Sequence, residues 1–267
     1  MNRADPLTAE SEPTAPGVPQ DSTRQRALLI NVLVVAVCAL VYELLCGTLA
    51  SYLLGDAVLQ FSLVLGTYLF AMGVGAWASK SLEARAASRY VQAELALALV
   101  GGLSVPLLLA GVAAHVPLRP ALHAVVFVIG VLVGVELPLL VKILREPQGA
   151  ATSVDASEPK AQSDLRELVP RESHGQTFGE LVARAFAYDY VGALAASLLF
   201  PLLLVPRLGL VRTSVVTGAV NALVALSATF VVRVERPRLV RVVGILILAV
   251  LTATFARGEA WVAGATD

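Results

Sequence analysis

Charge is the scarcest thing in this sequence: Asp, Glu, Lys and Arg together make up 15% of its 267 residues, where a soluble domain carries about 25%. Histidine occurs three times and cysteine twice. Cys38 and Cys46 share one apolar run, in which eight helical residues hold them about 12 Å apart, too far to bridge. A disulfide between them is excluded, and the expectation is two small residues packed in a helix. His115, His123 and His174 show no metal-ligand spacing, so no metal site is expected. Neither G-x-S-x-G, HExxH nor a phosphate loop occurs. The Gly pair in "VGGLSV" lies inside an apolar run, where no dinucleotide turn can form. No catalytic residue and no cofactor are therefore expected. Net charge is zero and the basic residues stand at the ends of apolar runs, which excludes a nucleic-acid-binding face.

Apolar residues fill the chain instead, at 57% with a mean hydropathy of +0.76. A helix needs about 20 apolar residues to cross a hydrocarbon core of about 30 Å. Seven runs meet or approach that length: 27–54, 58–79, 91–114, 121–143, 186–205, 208–232 and 239–256. The seventh is the weakest, 18 residues with Arg241 near its start, where a long side chain can snorkel to the interface; six crossings is the alternative count. The expected fold is an all-α membrane protein, a polytopic bundle of about seven transmembrane helices in a cell membrane, the inner membrane of a bacterium.

The polar stretches between these runs organise the chain. Residues 1–26, rich in Pro, Ser, Thr and acids, read as a disordered tail. They lack the basic start and short apolar core of a signal peptide, and the run that follows is too long for one. Helices 1–4 occupy 27–143 and helices 5–7 occupy 186–256, separated by a polar inner loop at 144–185, with a short tail at 257–267. Within that loop "SHGQTFGELVARAFAYD" has the pattern of an amphipathic helix lying on the membrane surface.

Basic residues accumulate on the cytoplasmic side of membrane helices. With the N-terminus inside, only Arg119, Arg207, Arg212 and Arg257, four of the 20 Lys and Arg residues, fall outside. The bias selects the N-in orientation. Seven crossings then put the C-terminus outside, and six leave it inside.

Against this apolar background the embedded polar groups are the candidate site. An acid at the centre of a membrane helix costs about 2.5–3.5 kcal/mol to insert, so it faces the bundle interior or a wet cavity. Glu43 stands near the midplane of its run, Glu136 in the inner third of the fourth and Asp189 in the first turn of the fifth, while Glu94 lies close to the interface. Either Glu43 and Glu136 donate as neutral acids to a neighbouring helix, or they form an acidic patch that accepts a cation or a proton. Asp189 has the further option of capping its helix. Tyr42 and Gln60 join the candidate set as embedded polar side chains. Pro106, Pro138 and Pro201 sit inside runs and predict helix bends, because proline removes the bond to the carbonyl four residues back. A free Gly134 carbonyl beside Glu136 would add an oxygen to a cation site. The G-x-x-x-G pair Gly130 and Gly134, the ladder Ala71, Gly75 and Ser79, and the pair Gly192 and Ala196 predict close helix contacts.

The stretches "YELLCGTLASYLLGDAVLQFSLVLGTYLFAMGVGAWASK", "GVELPLL" and "YDYVGALAASLLFPLLLVPRLGLVRT" resemble the N-terminal membrane portion of membrane-bound polyamine aminopropyltransferases, the spermidine synthase-like proteins. The resemblance covers most of 27–256 and rests on polar residues in apolar context, among them Tyr42, Glu43, Asp56, Gln60, Glu136 and Asp189. In that family a soluble Rossmann-like domain follows the helices and transfers the aminopropyl group of decarboxylated S-adenosylmethionine to a diamine. Here 11 residues follow Ala256, so the resemblance implies the membrane half without the catalytic domain. Two functions follow as expectations. One is a non-catalytic membrane module that anchors or supplies an aminopropyltransferase; the other is a transporter or channel for a small, polyamine-like cation. Lipid, a soluble aminopropyltransferase and a polyamine are the partners implied. A faint internal echo, "YELLCGTLAS" against "YDYVGALAAS", speaks for the second, because parallel repeats are a transporter architecture.

Overall fold

The computed structural model describes residues 20–145 and 178–264. Among them every element is helical and no strand occurs. Seven α-helices follow in order: α1 (Gln20–Leu54), α2 (Ala57–Ala78), α3 (Ala86–Ala113), α4 (Leu118–Arg145), α5 (Phe178–Leu199), α6 (Val205–Val231) and α7 (Pro237–Gly264). A 3-10 segment, Ser79–Arg85, joins α2 to α3, and a π turn, Phe200–Leu204, joins α5 to α6.

Five continuous helical stretches are long and apolar enough to cross a membrane, and two of these run to 57 and 50 residues. Either is more than twice what one crossing requires. Each changes helix type midway, the first at Ser79–Arg85 and the second at Phe200–Leu204, with Gly209 non-helical at φ 71°, ψ 176° just beyond. Large apolar side chains face outward, among them Val58 at 80% and Trp77 at 73% exposure, which suits a surface covered by lipid chains and not by water.

The turns between helices have local causes. Gly55 (φ 72°) and Asp56 (φ 45°) stand in the left-handed region in succession and reverse the chain between α1 and α2. Asp56 then caps α2, its carboxylate accepting from the Leu59 amide at 3.1 Å. After α3, His115 takes φ 60° and the Val116 amide closes on the Gly111 carbonyl at 2.8 Å. Before α7, Arg236 at φ 51° leads into Pro237 at the helix start, where proline's missing N–H costs nothing.

Helix α1 lies at the centre, against α2, α4, α5 and α6, while α2 packs on α4 and α3 packs on both α4 and α6. The small-residue ladders make two of these contacts. A Cβ on Gly130 would lie 2.7 Å from the Ala71 Cβ, and one on Gly134 would run into the Met72 backbone, so α2 and α4 touch almost backbone to backbone. Gly192 brings α5 onto α1, where a Cβ would sit 2.8 Å from that of Ala36. Arg24 donates to the Ile143 carbonyl at 3.2 Å and ties the start of α1 to the end of α4.

Several boundaries differ from the hydropathy runs. α1 starts at Gln20, inside the stretch expected to be a tail, α3 starts at Ala86 and not 91, and α5 starts at Phe178 and not 186. The expected surface helix from Ser173 is thus, from Phe178 onward, the first turns of α5; residues 173–177, like 1–19 and the rest of 146–177, lie outside the described residues. Polar first turns continue these helices because the i to i−4 bonds do not depend on side-chain hydropathy. Pro106 and Pro138 sit in unbroken α3 and α4. At Pro201 the helix widens into the π turn, a form that absorbs a missing backbone donor.

Candidate functional site

On α1, residues Val32, Val35, Ala36 and Ala39 repeat at helical spacing and form one wall of a cleft of about 70 Å³. Helix α4 supplies Glu136 with Leu137 and Leu140, α3 supplies Tyr90, α2 Met72 and α5 Asp189. The volume is enough for a small polar head group or a few waters. Apolar walls therefore surround a small number of polar atoms, the ordinary make-up of a ligand pocket.

Those polar atoms are unusually short of partners. Glu136 is 3% exposed and Tyr90 0%; neither carboxylate oxygen of Glu136 has a hydrogen-bond partner among the described residues, while the Tyr90 hydroxyl turns to the Glu94 carboxylate one turn further along α3. Glu94 and Asp189 lie within electrostatic range of Glu136. Tyr68 donates to the Ala39 carbonyl at 3.4 Å and stands within range of Glu43, Glu136 and Asp189 together. The ion pairs among the described residues are Arg85 with Glu235, Lys142 with Glu83 and Arg184 with Glu180. None reaches the four embedded acids. A buried carboxylate without partner or counter-ion is costly, so this arrangement favours either an incoming positive charge or protons held on the acids.

The candidates read from sequence fall in different places. Glu136 and Asp189 share the cleft. Glu43 lies one turn beyond Ala39 on the same α1 face, partly exposed and outside the cleft lining. Tyr42 is fully buried with its ring on Gly101, where a Cβ would lie 2.5 Å from the Tyr42 Cζ. Its hydroxyl, also without a partner, lies within range of Glu94 and Glu136. Gln60 is buried near the start of α2; twelve residues of helix, about 18 Å, separate it from the cleft residue Met72. Asp189 does not cap a helix: it lies eleven residues past Phe178, well inside α5.

Glu94 is the group that sequence reasoning misjudged. Expected near the interface, it lies eight residues into α3 and is 0% exposed. Asn221 of α6 donates to its carboxylate at 2.8 Å and to its backbone carbonyl at 3.2 Å. The available signal was Asn221 itself, since an amide deep in an apolar run requires a partner.

No family profile matches the chain, and no solved structure matches it. Curated relatives do. A polyamine aminopropyltransferase of Leptospira interrogans is 41% identical over 237 residues, 88% of this chain. Polyamine aminopropyltransferase 1 of Ralstonia nicotianae is 44% identical over 81% of it, and the protein of that name in Streptomyces coelicolor 38% identical over 85%. The chain is related to the polyamine aminopropyltransferases. It spans about two fifths of the length of these relatives, 42%, 37% and 39% in turn.

Proposed function

We propose that this chain is the membrane-embedded module of a polyamine aminopropyltransferase system, non-catalytic itself, which anchors or supplies the enzyme that performs the transfer. One observation carries the reading: the likeness to the Leptospira interrogans relative takes in 88% of this chain and 42% of that protein, and the described residues are helical, with five stretches long and apolar enough to cross a membrane. In this reading seven helices cross the membrane with the N-terminus inside, and the outward apolar faces of α2, α5 and α7 meet lipid. The test is to express the tagged chain in bacteria, wash the membranes with alkaline carbonate and capture soluble aminopropyltransferase on it. Release of the chain by the wash, or failure to retain any transferase while the chain stays in the membrane, would count against the proposal.

A second reading has its own support. The cleft holds unpaired Glu136, with Asp189 in the lining and Glu43 within reach of the same tyrosine, Tyr68, which suits a path for a small cation between α1, α4 and α5. Uptake of a labelled linear diamine into proteoliposomes tests it. Glu43→Gln is expected to lower uptake without loss of insertion; undiminished uptake removes Glu43 from the path.

A further inference from the structure

We propose that the α6–α7 hairpin binds the phosphate of an anionic phospholipid at its turn, with Arg241 as the fixed ligand and Arg238 as a second charge. The proposal rests on the membrane reading above and on neither use of the cleft.

The stretch "RVERPRLVR" at 233–241 sets four arginines and one glutamate around the turn between α6 and α7. The glutamate is already engaged, since Glu235 pairs with Arg85 of the connection between α2 and α3. Among the described residues no carboxylate pairs with Arg233, Arg236, Arg238 or Arg241, and α6 carries no acid. The first three of these arginines are exposed.

Arg241 is different because it is held. Its Nε donates to the Thr229 hydroxyl at 3.1 Å and its Nη2 to the Thr229 carbonyl at 3.4 Å, while its Cζ lies 4.1 Å from the centroid of the Phe230 ring. Thr229 stands two residues before the end of α6, so its carbonyl is one that the helix leaves free, and a cation suits that helix end. These contacts fix the guanidinium yet use two of its five N–H donors. The other three have no acceptor among the described residues. A planar fork with spare donors and no carboxylate beside it matches an oxyanion that presents two oxygens, as a phosphate does.

The rim decides which phosphate. Phe230 is 74% exposed, and Leu239 and Val242 of α7 are 56% and 53% exposed, so apolar side chains flank the guanidinium. A free phosphate or an acidic protein surface would leave that rim in water. A phospholipid places its phosphate at the interface and its acyl chains along the rim. Arg238, three residues before Arg241 on the same face of α7, adds charge at the end of the bundle that the Arg85–Glu235 pair marks. A zwitterionic headgroup would bring its own cation among these arginines, which favours a headgroup of net negative charge.

The test uses the full chain in a neutral detergent, with native mass spectrometry to follow retention of phosphatidylglycerol and phosphatidylcholine, each with and without inorganic phosphate. Retention of phosphatidylglycerol alone, undisturbed by inorganic phosphate at equal concentration, is the expected result. Arg241→Gln should weaken it by about 10-fold or more, as loss of a charged hydrogen-bond donor implies, and Arg238→Gln by about 5-fold. Arg119→Gln, at the exposed start of α4, should leave it unchanged. Equal retention of phosphatidylcholine overturns the charge match, and displacement by inorganic phosphate overturns the lipid as ligand; both are read on the unaltered chain, whether or not any variant folds. Full affinity in a folded Arg241→Gln variant overturns the site. Retention of the chain through the alkaline wash is measured separately, so the membrane reading can stand while this one fails.

Discussion

Asn221 and Glu94, 127 residues apart in sequence, are joined by a double contact: one amide nitrogen serves both the carboxylate and the backbone carbonyl of the acid, at 2.8 and 3.2 Å. The pair sits at full burial between α3 and α6 and links the helices before and after the loop at 144–185. Asn221→Leu leaves the Glu94 carboxylate without that donor, and a buried polar group stripped of its partner costs about 1–3 kcal/mol. The expected result is a lower Tm of the detergent-solubilised chain. Replacing both residues by Leu should recover much of the loss, since two apolar groups of similar shape need no bond; a double variant no better than the single one would refute the pairing.

The α2–α4 contact is the most sensitive to added bulk. Gly134 faces the Met72 backbone, whereas Gly73 on α2 has nothing within 4 Å of where a Cβ would be. Gly134→Val should destabilise by about 1–3 kcal/mol through overpacking or separate the helices. Gly73→Val, a helical glycine in open space, should be near neutral. Thermal melts of the two proteins, side by side in one detergent, decide it.

The turn between α1 and α2 yields a graded series. Asp56 both holds a left-handed φ of 45° and caps the Leu59 amide. Asp56→Ala loses the cap and keeps the strain, for about 1–2 kcal/mol. Asp56→Gly loses the cap but relieves the strain and should cost only a few tenths. Equal melting temperatures for the two variants would mean that the left-handed conformation does not matter there.

Orientation can be read by labelling. In a background without Cys38 and Cys46, both buried, single cysteines at Asp56 and His115 should react with a membrane-impermeant maleimide in intact cells. Cysteines at Glu83 and Glu235 should react only after permeabilisation. The Arg85–Glu235 ion pair at 3.3 Å and the Ser88 hydroxyl accepting from the Glu235 amide at 2.9 Å put those two connections at one end of the bundle. Opposite labelling of Glu83 and Glu235 would break the seven-crossing topology.

The sequence was most legible where hydropathy alone decides. Each of the seven apolar runs falls mainly on one α-helix, the fifth running on through the π turn Phe200–Leu204 to Val205, because twenty apolar residues in a row have few other ways to satisfy their backbone. Glu94 and Asp189 were misplaced for one shared reason. Both depths were counted from where a run turns apolar, but α3 begins five residues earlier at Ala86 and α5 eight residues earlier at Phe178. Hydropathy marks where a helix is greasy, not where its hydrogen bonds begin. Depth also carries no azimuth: Glu43 is central along α1 yet partly exposed, whereas Glu136 turns inward beside Leu139 and Leu140, both almost wholly buried. Which acid meets the cleft depends on the rotation of α1 and α4, and that is set by Gly130, Gly134 and Gly192 at the close contacts. Those glycines were visible in sequence as packing positions, but the partner of each was not.

The central position of α1 has a consequence for assembly. Helix α1 lies against α5 and α6, which are separated from it in sequence by α2, α3, α4 and the loop at 144–185. A face of α1 therefore stays unfilled during synthesis until the loop at 144–185 has been made and α5 and α6 arrive. The two halves interlock and are not stacked in series, so a nick in that loop should leave two fragments that find each other, while a chain ending before α5 should present a sticky, half-built bundle to the quality-control proteases.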